Sequence, residues 1–94
     1  MRETKYTRHF KRDYFRRKQS GVPGRRLDAL LMDAVNLLAA DAALPVRYVD
    51  HPLGGELNDH SYCHTRPDLV LIYRKPDADT LELVRLGSHC ELGL

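Results

Sequence analysis

Tryptophan is absent, and cysteine occurs only at Cys63 and Cys90. Two isolated thiols make neither a disulfide framework nor a paired metal motif, so the chain reads as a reduced protein, with a Cys63–Cys90 disulfide as the lesser alternative. Long apolar runs are missing too; none approaches the roughly 20 residues that a membrane span needs. The opening Met1-Arg2-Glu3-Thr4-Lys5 lacks the apolar segment of a secretory signal. Together these absences predict a cytoplasmic protein. No internal repeat or low-complexity tract interrupts the 94 residues, which suit one domain (1–94) with one modest core. The hydrophobic share of 43% is enough for that core to form.

What is present is unevenly spread. Residues 1–26 hold ten Lys/Arg against Glu3 and Asp13, a net +8, and the rest holds five basic against eleven acidic side chains, a net −6. Arg8, Lys11, Arg12, Arg16, Arg17 and Lys18 form the densest part. A basic block attracts polyanions, which points to ribosome or RNA contact; the plainer reading is a solvated helix face.

The periodicity changes midway. Thr4 to Thr7 suits a short strand. Arg8 to Gln19 reads as a helix with Tyr6, Phe10 and Tyr14 stacked at a spacing of four, a stripe better suited to core than to base stacking. Ser20-Gly21-Val22-Pro23-Gly24 breaks it. Arg25 to Ala40 is the clearest helix, with Leu27, Leu30, Leu31, Ala34, Val35 and Leu38 along one face. After Leu44-Pro45 the pattern is extended. Asp59 to His64 places His60, Tyr62 and His64 on one side, and Leu69 to Lys75 is nearly all apolar and hence central. Thr80 to Ser88 alternates so as to put Leu81, Leu83, Arg85, Gly87 and His89 on one side and Val84 and Leu86 on the other. The order β-α-α-β-β-β predicts an α+β fold, with two N-terminal helices on one face of a small, mostly antiparallel sheet.

Chemistry gathers between Asp50 and His89. His51 precedes Pro52-Leu53-Gly54-Gly55, His64 precedes Thr65-Arg66-Pro67-Asp68, and Arg85-Leu86-Gly87-Ser88-His89 closes the last strand. Histidine moves protons near neutral pH, and a strand end holds the backbone while presenting the side chain. Cutting RNA without a metal needs a base for the 2′-OH, an acid for the departing 5′-oxygen and a cation for the phosphorane. Histidines serve the first two needs, and Arg85 has the planar fork for the third. Asp68 can orient a histidine or take the 2′-OH proton itself. Each residue also has a plain structural reading, such as a turn cap for Asp68 or a cross-sheet ion pair for Arg85. His9 and His60 read as surface residues.

Tyr48-Val49-Asp50-His51-Pro52-Leu53, His64 followed by Pro67-Asp68, Leu69-Val70-Leu71-Ile72-Tyr73 and Arg85-Leu86-Gly87-Ser88-His89 resemble, in that order and spacing, the RelE/ParE superfamily of bacterial toxins and its YafQ-type mRNA interferases. The resemblance implies a RelE-like fold and a metal-independent, ribosome-dependent endoribonuclease that cuts mRNA in the 30S A site. It also implies a cognate antitoxin as partner and no cofactor. His51, His64, Asp68 and His89 fall on the catalytic set, with His51 or His64 as base and His89 as acid, and Arg85 falls on the phosphate-binding arginine. All five should line one concave surface. The chain departs from the pattern at Leu69 and Gly93, where aromatics are usual, and at Ser61-Tyr62, where an arginine-acid pair is usual. These departures bear on base preference, although Tyr62 is available to stack a base.

Three alternatives belong to other classes. A ParE-type toxin would poison gyrase by binding, without any need for proton donors. A zinc site of His60, His64 and Asp68 would converge only on a helix, which Pro67 opposes. A simple nucleic-acid-binding module would leave the histidines incidental.

Overall fold

A computed structural model describes residues 1–19, 24–52, 59–66 and 69–93, with the backbone alone for 24–26. The elements are β1 (Glu3–Tyr6), α1 (Arg8–Gln19), α2 (Gly24–Ala39), a 3₁₀ turn (Val46–Tyr48), β2 (His51–Pro52), β3 (His60–Arg66), β4 (Leu69–Asp77), β5 (Thr80–Gly87) and α3 (His89–Leu92). The sheet runs β1-β5-β4-β3-β2, with β1 parallel to β5 and the other pairs antiparallel. This is the expected α+β arrangement, with β2 and α3 added. Both additions are too short for periodicity to reveal. No helix among the described residues is long and apolar enough to cross a membrane.

Thr7 sets the first helix. Its side-chain oxygen accepts the Phe10 N–H (3.0 Å), which caps α1, and its hydroxyl donates to the Val84 carbonyl (2.7 Å), which pins that helix start to β5. The stripe on α2 packs as its spacing requires: Leu27, Leu31, Ala34, Val35 and Leu38 are buried, and Leu30 is half-buried. They meet Leu69, Leu71, Tyr73, Leu81, Leu83 and Leu86 of the sheet. Each fully buried leucine here contributes about 1.5–3 kcal/mol. The α1 stripe divides. Phe10 enters the core and Tyr14 packs against it, whereas Tyr6 stays 52% exposed and leaves an open apolar groove between the helices, with Phe15 and Met32 also exposed. Cys63 is buried and Cys90 exposed, both free.

The last strand departs from simple alternation. Tyr73 pairs with Leu83 and Ile72 with Arg85, so Val84 is an extra residue in β5. This bulge reverses the facing of everything after it. Leu86 joins Leu81 and Leu83 in the core. Arg85, which unbroken alternation would have driven among those leucines, pairs with Ile72 instead and meets the helices only through Asp13 of α1. The Val84 carbonyl at the bulge is satisfied by Thr7.

Candidate functional site

The register assembles the site on the face opposite the helices. His51 pairs with Tyr62, Tyr62 with Ile72, and Ile72 with Arg85, so these four form one row. His64, Val70 and Gly87 form the next. Directly paired residues share a face, and alternation along β3 keeps Tyr62 and His64 together. Val70 and Ile72, both buried, floor the site yet stand apart from the main core.

His89 arrives from α3. Ser88 caps this single turn: its side chain accepts the Glu91 N–H (3.2 Å), and the Glu91 carboxylate accepts the Ser88 N–H (2.9 Å). Arg17 of α1 also reaches that carboxylate (2.6 Å). The turn packs closely over Gly87, where a Cβ would come to 3.4 Å from Glu91 and 3.5 Å from Leu92. The turn thus folds back over β5 and sets His89 above the sheet.

The rings converge on Tyr62. Its centroid lies 5.5 Å from that of His51, 6.1 Å from His64 and 6.4 Å from His89, and His64 and His89 meet edge to face at 4.8 Å. Partial burial, reinforced by repulsion from His89 and His51, pushes the His64 pKa below the ordinary histidine value. Its imidazole is therefore neutral near pH 7, the form a base requires.

Arg85 is held from behind. Its Nε donates to Asp13 Oδ2 (2.7 Å) and its Nη2 to Asp13 Oδ1 (3.3 Å), and the Leu86 N–H donates to the same carboxylate (3.0 Å). Asp13 is 5% exposed. Burial opposes its charge, but the hydrogen bonds from Arg85 and Leu86, with the charges of Arg85 and Arg16, outweigh burial and hold its pKa below the ordinary carboxylate value. The grip uses Nε and Nη2 of a guanidinium whose side chain remains 35% exposed.

His51, His64 and His89 are therefore brought together around Tyr62 across β2, β3 and α3, and the register puts Arg85 of β5 in the same row as Tyr62, three strands from His51. Asp68, with Pro67 before it, lies outside the described residues, as do Leu53, Gly54 and Gly55. His60 pairs with Asp59 (2.7 Å) at the other end of β3, four strand positions or about 13 Å from His64, so the zinc arrangement does not form. The basic residues of α1 divide: Arg8, Lys11, Arg12 and Arg16 are exposed, Arg17 reaches Glu91, and Lys18 lies near Asp28 (3.4 Å) and over the Tyr14 ring. Sequence reasoning missed Asp13. The signal was its position: it is the one acid in the cation-rich helix Arg8–Gln19, three residues after buried Phe10 and hence on the inward side of α1. Glu91 was missed as well, although Ser88 three residues earlier completes a capping box.

Comparison with known proteins gives a consistent answer. Residues 2–93 match a family described as the bacterial toxin of type II toxin–antitoxin systems, YafQ. A Haemophilus influenzae protein named for the toxin YafQ is 38% identical over 64 residues, which span 65% of this chain and 63% of that protein. A metal-bound toxin from Helicobacter pylori superposes with a TM-score of 0.84 at 40% identity, over 98% of this chain and 99% of the other. YafQ from Escherichia coli superposes with a TM-score of 0.83 at 26% identity, over 98% of each chain. The E. coli DinJ–YafQ complex matches with a TM-score of 0.79 at 27% identity, again over 98% of each chain.

Proposed function

The chain belongs to the YafQ family of bacterial type II toxin–antitoxin toxins, and from that membership we propose that it is a ribosome-dependent endoribonuclease acting on mRNA. The observation that carries this reading is the 4.8 Å approach of His64 and His89 on the sheet face that also presents Arg85. A protein that acted by binding alone, as a gyrase poison would, has no use for two facing proton carriers beside an anchored cation.

The chemistry follows from the placement. Neutral His64 takes the proton of a ribose 2′-OH, with His51 on the other flank of Tyr62 as the alternative base. The 2′-oxygen attacks the adjacent phosphorus, and Arg85 stabilises the negative charge that grows on the phosphoryl oxygens. His89 donates a proton to the 5′-oxygen as the P–O bond breaks. The upstream fragment leaves with a 2′,3′-cyclic phosphate and the downstream one with a 5′-hydroxyl. Tyr62, ringed by the three histidines, offers a face on which a splayed base stacks. Asp68, by its position in the motif, orients one of the histidines or shares the base role.

Two H. pylori relatives carry a metal. In this chain no three His, Cys, Asp or Glu side chains among the described residues are placed to hold one. The partner is a cognate antitoxin, as DinJ is for E. coli YafQ, and the cations of α1 supply contact with ribosomal RNA. The chain works as a single domain.

The test is cleavage of a defined mRNA with and without translating ribosomes, in the presence of EDTA, with analysis of the fragment ends. Cuts that need the ribosome, survive the chelator and leave cyclic phosphates support the reading. Loss of cleavage with EDTA overturns its metal-free part. Growth arrest with intact mRNA returns the gyrase alternative.

A further inference from the structure

Asp50 and Tyr73 stand outside the chemistry above, yet they meet directly behind it. The Tyr73 hydroxyl, on a ring buried in the main core, donates to Asp50 Oδ1 (2.6 Å). Burial first, then the bond to Asp50 and its negative charge, hold the Tyr73 pKa well above the ordinary tyrosine value. The phenol therefore keeps its proton and remains a donor near neutral pH. Tyr73 shares a sheet row with Ser61, and Ser61 with Pro52, so the bond reaches from β4 beneath β3 to the residue that opens β2.

The bond falls where His51 has little else to hold it. β2 is two residues long and, among the described residues, pairs only with Ser61 and Tyr62. Pro52 has no N–H to add to the ladder. Both of its residues are exposed. Upstream, buried Tyr48 anchors the 3₁₀ turn, in which the Tyr48 N–H donates to the Pro45 carbonyl (3.0 Å) and the Val49 N–H to the Val46 carbonyl (3.0 Å). Val49 itself takes a left-handed backbone (φ 48°), a strained state for a β-branched residue. Such strain persists only where the surroundings over-determine it, and it gathers at functional sites. Here Tyr48 fixes one side of Val49 and the Asp50–Tyr73 bond fixes the other. The register adds a direction. Continued by one step, it sets Asp50 opposite Cys63. Burial pushes the pKa of that thiol up to about 12, and the Asp50 charge adds to the rise, as this proximity requires. Asp50 thus turns to the core face, and His51, one residue on, to the histidine face.

We propose that Asp50 and Tyr73 are positioning residues for His51: their hydrogen bond fixes the start of β2 and so holds the His51 ring against Tyr62. The consequence for cleavage rests on the RNA reading above; the placement of the ring does not. Both residues lie on the far side of the sheet from the three imidazoles, so they act through His51.

Nuclear magnetic resonance of the intact, isotopically labelled protein tests the placement without RNA. The ring centroids of His51 and Tyr62 lie 5.5 Å apart and those of His64 and His89 4.8 Å apart, so each pair should give ring-to-ring nuclear Overhauser effects. Tyr73→Phe, which keeps the ring in the core, and Asp50→Ala should both lose the His51–Tyr62 effect and keep the His64–His89 one. Asp50→Asn should retain both, because an amide oxygen still accepts the phenol proton. Tyr14→Phe, which removes a phenol–carboxylate bond to Asp28 between the helices, should match the parent. In single-turnover cleavage on ribosomes, Tyr73→Phe should cut at the rate of His51→Ala with half-saturation unchanged, and in a His51→Ala background it should cost nothing more. The proposal is overturned if the His51–Tyr62 contact survives both Tyr73→Phe and Asp50→Ala, if His64 and His89 part as well, or if Tyr73→Phe slows the His51→Ala protein as much as it slows the parent. If the contact is lost as expected while the parent never cuts RNA, the nuclease reading falls and the positioning stands.

Discussion

Individual side chains carry most of the proposed chemistry, and their environments separate their roles. His64 is partly buried and faces two other imidazoles, which lowers its pKa. A base with a lowered pKa stays competent at lower pH. The rate should therefore rise with pH along a limb centred below the ordinary histidine value of about 6.5, and His64→Ala should abolish or displace that limb in a single-turnover pH profile. His89→Ala should slow cleavage by about 10²–10⁴-fold if it is the acid, with melting little changed, since His89 sits on a one-turn helix outside the core. Asp13 is the other decisive residue. Asp13→Asn keeps its size but removes the charge that Arg85 and the Leu86 N–H share. It should cost about 3–5 kcal/mol, in the range for breaking a buried pair, less whatever solvent reaches the half-exposed arginine. The sign in pH is fixed: the folded pKa of Asp13 is lowered, so its contribution is present above about pH 4 and is lost as pH falls through the lowered value. Acid denaturation of the Asn variant should therefore be shallower than that of the parent over that window.

At the scale of elements, long periodic segments were legible and short ones were not. Arg8 to Gln19 was expected as a helix and is one, and α2 differs from expectation by one residue at each end. β3, β4 and β5 were found with shifted ends because hydrophobic runs fade into turns without a sharp signal. The two-residue β2 and four-residue α3 have no period to read, yet they present His51 and His89. The bulge at Val84 was also invisible, because it depends on pairing with Tyr73 and Ile72 rather than on β5 alone. Alternation had placed Arg85 with Leu81 and Leu83; the pairing places it with Tyr62. The set of site residues came from the family pattern, whereas their support from Asp13 and Glu91 came only from the packed helices. The capping box gives this support a measurable value. Ser88→Ala should destabilise α3 by about 0.5–2 kcal/mol. Because α3 contributes no residue to the main core, global melting should move little while single-turnover cleavage falls several-fold. Equal loss of both would show that α3 is part of the folding unit rather than a mount for His89.

Across the whole molecule, charge is divided between the ends of the chain and so between surfaces. α1 lies on the helical side of the sheet, and the histidine cluster lies on the other. On the proposed ribosome-dependent reading the toxin would meet RNA on more than one side, and the exposed cations of α1 would then make contact with it. The clean test uses Arg8, Lys11 and Arg12, which are exposed and begin a helix that has no acid in its first turn. Changing all three to Glu reverses local charge where the helix dipole favours negative groups, by about 0.3–1 kcal/mol near the N-terminus, so the fold should hold or gain slightly. Arg16, Arg17 and Lys18 remain to complement the C-terminal end. Ribosome affinity should fall and its salt dependence should flatten, since each lost phosphate contact removes close to one unit of slope on a duplex. The histidine site is untouched, so any cutting of free RNA should match the parent. A triple variant that stays folded and binds ribosomes as the parent does, with the same slope against salt, would assign the basic block to solubility and leave ribosome contact to another surface.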